Sequence, residues 1–353
     1  MDILVGNVIA CAIYALIIYS LPIKQEHKNN FYFLITFVQI TLIHGLVDPD
    51  CVPDLGNYES AWRRYINFSL WDTITLNDGS AETFEQGFRT YMKVISYFTS
   101  NYQAFLVINS GLMFLLYYIF FRKYSPYFWF SVLLLLLVSY NQSLFVLRQH
   151  LSIAVLFVSY PYILKKDLKR FSIVVLIAYL LHNSSLIFLP VYFLYNIKDT
   201  KRYFFTMIGS SILLSIVIMA AISRYGFIFT RNEFFIENAV EGVATKALIM
   251  GAILIVYLLV LREKAFEEGI NKLVFTISIL GIVGNALVGE SGGGRIFWSY
   301  YIIVIIQVPL IMYYMKLKVI KFIFCISVLA VFMAWAFVLA GDVIFWSDFK
   351  LNI

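Results

Sequence analysis

Residues 171–196 read FSIVVLIAYLLHNSSLIFLPVYFLYN. This stretch is one membrane crossing long, because a bilayer core of roughly 30 Å needs about 20 helical residues. His182 and the three polar residues after it stand at its centre, and Pro190 follows. Such a break favours two half-helices whose exposed backbone must be buried in protein or line a wet cavity. The stretch therefore predicts a membrane hairpin with its tip at residues 182–185. The alternative is an ordinary span kinked by Ser and Asn.

The composition of the chain also indicates a membrane protein. The 353 residues are 61% hydrophobic and 14% charged, whereas soluble domains are about half apolar and about a quarter charged. The net charge of +6 fits short basic cytoplasmic loops and is not a signal for nucleic acid. Cys11, Cys51 and Cys325 are too few and too dispersed for a disulfide framework or a zinc site. No separate signal peptide is evident, so the first apolar run is expected to act as the targeting signal.

Long apolar runs fill most of the remaining sequence. Eight of them are each about one crossing long: 3–21, 31–47, 101–121, 204–223, 244–261, 271–288, 296–315 and 319–340. Residues 127–164 hold two further crossings, interrupted by polar patches at 141–143 and 148–150. With the hairpin, these runs predict an all-α polytopic transmembrane helical bundle of about twelve membrane segments. We expect a single integral membrane domain over residues 1–353.

The distribution of basic residues predicts the orientation, because cytoplasmic loops collect Lys and Arg. If the basic loop 24–28 is cytoplasmic, the hairpin topology puts 17 of the 27 Lys and Arg residues on that side. A single span at 171–196 would leave 13 there and remove the bias. The count favours the hairpin, with both termini and the polar loop 48–100 outside. Within that loop, residues 61–70 predict an interfacial amphipathic helix with Trp62 and Tyr65 at headgroup depth.

Ionisable residues on the predicted outer side are candidates for function, since charge in or near a membrane is costly. We expect Arg148 and Arg295 to bind a diphosphate together, because guanidinium groups match phosphate oxygens. Arg224 or Arg231 is the expected third member of this clamp. The glycines 292–294 would let backbone N–H groups approach the same anion. The alternative is that each arginine only snorkels to the interface.

Several common chemistries are disfavoured. No second His stands at metal-ligand spacing from His182, so neither a metal nor another cofactor is expected. The sequence contains no Walker loop and no His-Glu-x-x-His motif. Their absence argues against an ATP-driven pump and against the common metalloproteases.

Five short motifs occur in order between residues 54 and 300. They are Asp54-Leu-Gly-Asn-Tyr58, Glu85-Gln-Gly-Phe88, Leu147-Arg148-Gln149, His182-Asn-Ser184 with Pro190, and Arg295-Ile-Phe-Trp-Ser-Tyr300. Together they resemble the EpsG family of Wzy-like polysaccharide polymerases. Two positions depart from the family pattern. Gln86 replaces the usual Pro, and Val52-Pro53 replaces the usual Gly-Thr before the aspartate.

The resemblance implies a glycosyltransferase in the bacterial cytoplasmic (inner) membrane with an outward-facing active site. Such enzymes join oligosaccharide repeat units of O-antigen, capsule or exopolysaccharide that are carried on undecaprenyl diphosphate. An acceptor hydroxyl attacks the anomeric carbon of the donor, and undecaprenyl diphosphate leaves. The motif positions imply substrate binding by Tyr58, Gln149, Ser184 and Tyr300. The implied partners are lipid-linked oligosaccharides, membrane lipids, and the chain-length regulator and flippase of the same pathway.

The attacking hydroxyl must lose a proton, and the candidate catalytic residues are His182, Glu85 and Asp54. We prefer His182 as the general base, because the hairpin puts it at cavity depth. Glu85 is the second choice. Asp54, with Tyr58 one helical turn on, is expected to hold the acceptor or to order the loop. The alternative for His182 is a hydrogen bond that only caps the broken helix.

Other activities use similar sequence features. A lipid-linked oligosaccharide flippase or another transporter would also need a cationic cavity, but not Asp54, Glu85 and His182 on one face. A membrane acyltransferase would need a donor route from the cytoplasm. A ligase of the O-antigen type shares the leaving group, and the sequence barely separates it from a polymerase.

Overall fold

The computed structural model describes residues 3–75, 84–198, 202–203, 205–213, 216–217, 220, 245–288, 296–341 and 351. Within these residues the regular structure is helical, apart from one isolated bridge between Val47 and Leu351. The chain divides into two compact units. The first is drawn from Met1–Val158, Leu176–Asn183 and Leu317–Ile353, and the second from Ser159–Val175 and Ser184–Lys316.

The predicted all-α membrane bundle is confirmed. Among the described residues, five helical segments are long and apolar enough to cross a membrane: Ile3–Ser20, Tyr102–Tyr124, Phe128–Phe145, Thr245–Phe266 and Lys318–Ala336. Shorter apolar helical segments lie at Asn183–Tyr195, Ile270–Ala286 and Trp298–Tyr314. The total of twelve segments and their sidedness stay predictions.

The first unit contains the helices α1 to α9 and parts of later elements. Their bounds are α1 Ile3–Ser20, α2 Gln25–Gly45, α3 Pro53–Tyr65, α4 Leu70–Thr75, α5 Gln86–Ser96, α6 Tyr102–Tyr124, α7 Phe128–Leu135, α8 Asn141–Phe145 and α9 Leu147–Phe157. Helices α2 and α6 pack closely against each other, because Gly45 lets the two backbones approach. A Cβ on Gly45 would lie 2.5 Å from the Cα of Val107. A π-helical turn, Leu136–Tyr140, joins α7 to α8.

The loop between α2 and α6 folds differently from the sequence prediction. The amphipathic helix predicted over 61–70 is wrong, because α3 ends at Tyr65 and a new helix starts at Leu70. Ser69 and Asp72 form a reciprocal capping pair that starts this new helix. Trp62 and Tyr65 are buried rather than interfacial. The Trp62 ring stacks on Phe105 of α6 with centroids 4.8 Å apart, which holds α3 against the bundle.

The second unit contains the base of the predicted hairpin. Helix α10 spans Tyr160–Leu164 and α11 spans Leu168–Leu181; a 3-10 helix, Asn183–Phe188, then leads into α12, Leu189–Tyr195. The Tyr192 hydroxyl donates to the Lys166 carbonyl at 2.6 Å, and its ring stacks on Phe171 at 5.1 Å. A straight helix would separate residues 171 and 192 by about 31 Å, at roughly 1.5 Å per residue. The chain therefore turns back after α11, and the hairpin is confirmed.

The second unit also contains the short helix Trp298–Tyr301 and three longer helices. Thr245–Leu261 continues through a 3-10 turn, Arg262–Phe266, and is followed by Ile270–Val288 and Val304–Tyr314. The last helix of the chain, Lys318–Gly341, belongs to the first unit. The prediction of a single domain over 1–353 stays a prediction.

Candidate active site

Three of the predicted site residues meet in the first unit. One carboxylate oxygen of Glu85, Oε2, forms an ion pair with Nη1 of Arg148. The other, Oε1, lies 2.8 Å from Nδ1 of His182. The three side chains keep small exposed fractions of 10% for Glu85, 25% for Arg148 and 23% for His182. Residues that are far apart in sequence thus form one continuous polar chain that is open to solvent or ligand at its ends.

The start of α9 positions Arg148. Val146 has non-helical backbone angles, with φ −118° and ψ 59°, and separates α8 from α9, so Arg148 lies in the first turn of the new helix. Its Nε donates to the Tyr58 hydroxyl at 3.4 Å, and its guanidinium lies 4.3 Å above the Phe84 ring. A cation over an aromatic face is stabilised by the ring quadrupole. Arginine carries five N–H donors, so donors remain for an anionic ligand.

The end of α11 positions His182. The last helical hydrogen bond runs from the His182 N–H to the Ala178 carbonyl at 2.9 Å. The next backbone N–H, that of Asn183, points at Glu85 Oε1 at 3.4 Å. Glu85 therefore accepts bonds from both the side chain and the backbone at this helix end. The break that the sequence predicts is the feature that exposes the imidazole ring.

Close packing of α5 against α11 brings Glu85 to His182. Gly87 lies two residues after Glu85, and its Cα faces the end of α11. A Cβ at this position would lie 2.6 Å from the carbonyl oxygen of Leu180, which no side chain tolerates. The glycine of the Glu-Gln-Gly-Phe motif is thus required by the backbone approach that forms the site.

The charge of Glu85 is stabilised in this setting. Burial raises the pKa of its carboxyl, but the Arg148 charge and the His182 hydrogen bond outweigh burial and bring it to about 2. An ionised carboxylate only accepts hydrogen bonds, so Nδ1 of His182 carries the proton in this contact. A neutral His182 then has its lone pair on Nε2. Glu85 holds the His182 ring through Nδ1, and a carboxylate with so low a pKa is itself a weak proton acceptor. The role of His182 as the general base stays a prediction.

Asp54 and Tyr58 lie on the first turns of α3, which begins at Pro53. Tyr58 is buried, and burial raises the pKa of its hydroxyl, so it remains a neutral partner of Arg148. Asp54 is half-buried one helical turn earlier, and its charge acts on Tyr58. Gln149 is buried directly after Arg148. Catalysis by Asp54 and substrate binding by Tyr58 and Gln149 stay predictions.

The remaining predicted residues lie in the second unit or outside the described residues. Ser184 is half-buried in the 3-10 helix of the second unit. Tyr300 is fully buried in that unit, where its hydroxyl donates to the Ile187 carbonyl and its ring stacks on Phe188. These contacts describe a packing role for Tyr300, and its binding of substrate stays a prediction. Arg224, Arg231 and Arg295 lie outside the described residues.

Other ionisable or thiol groups show no metal-binding arrangement in the part of the chain that is described. No group of three His, Cys, Asp or Glu side chains there could hold a metal ion. His44 lies 2.7 Å from Ser110 and 2.8 Å from Ser143, which explains it as a buried, hydrogen-bonded packing residue. Cys11 is buried, whereas Cys51 and Cys325 are half-buried.

Sequence reasoning did not assign a role to Phe84 or Gly87. Phe84 covers the Arg148 guanidinium, and Gly87 allows the contact with α11. Both residues lie within two positions of Glu85. The one sequence feature that could have indicated a role for Phe84 is its position directly before the Glu85 motif. The Arg148 guanidinium and the Leu180 backbone that these two residues contact belong to α9 and α11, which the linear sequence does not reveal.

Comparison with known proteins places the chain in one family. A search of curated proteins and a search of solved structures each found no match. The sequence model of the EpsG family matches residues 30–350, which is nearly the whole chain. This range includes all the motifs between residues 54 and 300. The chain therefore belongs to the EpsG family.

Proposed function

We propose that this protein is a Wzy-like polysaccharide polymerase that joins oligosaccharide repeat units carried on undecaprenyl diphosphate. The observation that supports this proposal is the Glu85 carboxylate between Arg148 and His182. It combines an oriented base with an adjacent cation, which are the two groups that glycosyl transfer from a diphosphate requires. Membership of the EpsG family supports the same reaction class.

In the proposed reaction, an acceptor sugar hydroxyl attacks the anomeric carbon of the donor. Nε2 of His182 takes the hydroxyl proton while the new C–O bond forms. The bond from the anomeric carbon to the diphosphate oxygen breaks, and undecaprenyl diphosphate leaves with the electron pair. Glu85 stabilises the imidazolium through Nδ1, as the carboxylate does in a catalytic triad.

Arg148 is proposed to stabilise the leaving diphosphate. Phosphate oxygens need positive charge more than a proton, since diphosphate is already a stable anion. The guanidinium keeps donors beyond those used for Tyr58 and Glu85. Arg295, Arg224 and Arg231 remain proposed further members of this clamp. The proposed location is the outer face of the bacterial cytoplasmic membrane.

The test is reconstitution of the purified protein in nanodiscs with lipid-linked repeat units. We expect a ladder of longer lipid-linked chains and one released undecaprenyl diphosphate per bond formed. Cells that lack the protein should retain single exported repeats and lose long chains. Transfer of lipid-linked repeats across vesicle membranes without any bond formation would contradict the proposal and indicate a flippase. Transfer of finished chains to a different lipid acceptor would indicate a ligase.

A further inference from the structure

A polar cavity of about 450 Å³ opens beside α3 in the first unit. Its lining includes the carboxylates of Asp48, Asp50 and Glu59, together with Arg63, Trp62 and Asn101. Small-molecule sites in proteins have volumes of about 300–1,000 Å³. The cavity is therefore large enough for a ligand, and it is separate from the Glu85 cluster.

The walls of this cavity are held together by bonds within the first unit. Trp62 Nε1 donates to the Ser100 carbonyl at 3.1 Å, which ties α3 to the start of α6. Gln103 Nε2 donates to the carbonyls of Gly45 at 2.6 Å and Val47 at 3.0 Å, which ties α6 to the end of α2. Because three segments are joined around it, the cavity is preformed. A preformed site loses little conformational entropy on binding.

The open acceptor atoms indicate which chemistry would fit. Oε1 of Glu59 accepts hydrogen bonds from the Arg63 guanidinium, whereas Oε2 has no hydrogen bond to any described residue. Oδ1 of Asp48 accepts a hydrogen bond from the backbone N–H of Asp50, and the Asp50 carboxylate accepts none from a described residue. Among the described lining residues, three acids and one base, Arg63, give a formal net charge of −2. Carboxylate oxygens accept bonds from hydroxyl groups, and this excess disfavours an anionic ligand.

A metal ion does not explain these acids as well as a polyhydroxylated ligand does. Within the described part of the chain, no three carboxylate, His or Cys groups are arranged to hold a metal. The lining instead combines three carboxylates with the Asn101 amide and the Ser100 segment around about 450 Å³. A cavity of this size that offers both acceptors and donors matches the hydroxyl pattern of a saccharide.

The position of the cavity relates it to the Glu85 cluster. Glu59 lines the cavity, and the preceding residue, Tyr58, contacts Arg148 through its hydroxyl. Successive residues of a helix point about 100° apart, at 3.6 residues per turn. The cavity and the cluster thus lie on neighbouring faces of α3. The two sites are therefore adjacent along α3, which is the arrangement that a single chain of sugars would need to reach both.

We propose that this cavity is a saccharide-binding subsite that holds neutral or amino sugars of the growing chain away from the reacting end. The link to a growing chain rests on the proposed polymerase function, whereas the binding of a carrier-free oligosaccharide does not. The subsite would retain product between additions and so favour long chains.

The test measures binding of the repeat oligosaccharide released by mild acid from the lipid-linked pool. Saturation-transfer NMR on the full-length protein in nanodiscs gives the dissociation constant. We expect the isosteric double variant Asp50→Asn, Glu59→Gln to bind at least about tenfold more weakly, as one lost charged hydrogen bond corresponds to about this factor. The matched controls are Ser60→Ala, exposed on α3 outside the lining, and Glu26→Gln, an exposed acid at the start of α2. Both should bind as the wild type does.

Thermal unfolding checks that the double variant is folded. If it is not, the single variant Asp50→Asn takes its place, because the Asp50 carboxylate forms no hydrogen bond with a described residue and its loss should not affect folding. Absence of binding by the wild type, or equal binding by wild type and double variant, would overturn the subsite. Calcium binding that is lost in the double variant, without saccharide binding, would also overturn it. The subsite and the polymerase function can fail separately. If the wild type binds the saccharide and the double variant does not, but the wild type forms no polymer, only the polymerase function is refuted. His182→Gln should keep the binding.

Discussion

Gly87 and Leu180 are in backbone contact where α5 meets the end of α11. A Cβ on Gly87 would lie 2.6 Å from the Leu180 carbonyl oxygen and 2.7 Å from its carbonyl carbon. Glu85 lies two residues before this contact, and His182 lies two residues after it. The distance between Nδ1 of His182 and Oε1 of Glu85, 2.8 Å, therefore depends on a residue without a side chain.

Gly87→Ala should separate Glu85 from His182. The added methyl group must push α5 away from Leu180, and such overpacking costs about 1–3 kcal/mol of stability. We expect a lower unfolding temperature and a loss of most polymerisation by the purified protein. Gly56→Ala is the control, since nothing lies within 4 Å of the position its Cβ would take. Normal chain formation by Gly87→Ala would show that the contact is not needed for the site.

His182→Gln should remove the proposed base but keep one hydrogen bond to Glu85. A positioned general base contributes about 10²–10⁴-fold to rate, so turnover should fall by about this factor while donor binding changes little. The measurement is the rate of bond formation and the KM for the lipid-linked donor. His27→Gln, at an exposed position in α2, is the control. Retained turnover in His182→Gln, together with an inactive Glu85→Gln, would move the base to Glu85.

The stability contribution of Glu85 should depend on pH. Its pKa is about 2 in the folded protein against an ordinary 4.5, so the folded state favours the charged form. The contribution is therefore complete above about pH 4.5 and is lost as the pH falls towards about 2. Glu85→Gln should lower the unfolding temperature most at neutral pH, and the difference from wild type should shrink below pH 4.5. A constant difference from pH 7 to pH 3 would contradict an ionised Glu85.

Arg148→Lys should impair donor use although it keeps the charge. A lysine has no planar fork, so it cannot contact Tyr58, Glu85 and a diphosphate together. It would also lose the packing over Phe84, and cation–π contacts contribute about 0.5–2 kcal/mol. We expect a raised KM for the lipid-linked donor and a lower kcat. The exposed Arg170→Lys is the control, and unchanged kinetics in Arg148→Lys would exclude a bidentate role.

The site illustrates what short motifs predict. Arg148, Glu85 and His182 were each expected from the sequence to be functional, and the structure joins them through one carboxylate. The sequence could not predict how these three residues divide the roles, because this depends on which Glu85 oxygen contacts Arg148 and which contacts His182. The low pKa of Glu85 follows from that geometry and favours His182 as the base.

The helix predicted over 61–70 shows where periodicity is insufficient. Trp62 and Tyr65 have the spacing and chemistry of interfacial anchors, yet both are buried. Phe105 of α6 provides the surface on which Trp62 stacks. A membrane interface and a protein core both accept an aromatic ring, so the partner decides between them.

The sequence by itself determined the helical membrane architecture and the hairpin at His182. Long apolar runs must form helices in lipid, since helices satisfy every backbone group within one segment. A polar break in such a run must be covered by protein, and this requirement locates the site. Only the tertiary structure decided that Gly87 meets Leu180, that Phe84 covers Arg148 and that Glu85 links Arg148 to His182. These contacts join residues from different helices, and their formation depends on packing distances of a few ångströms that no local pattern encodes.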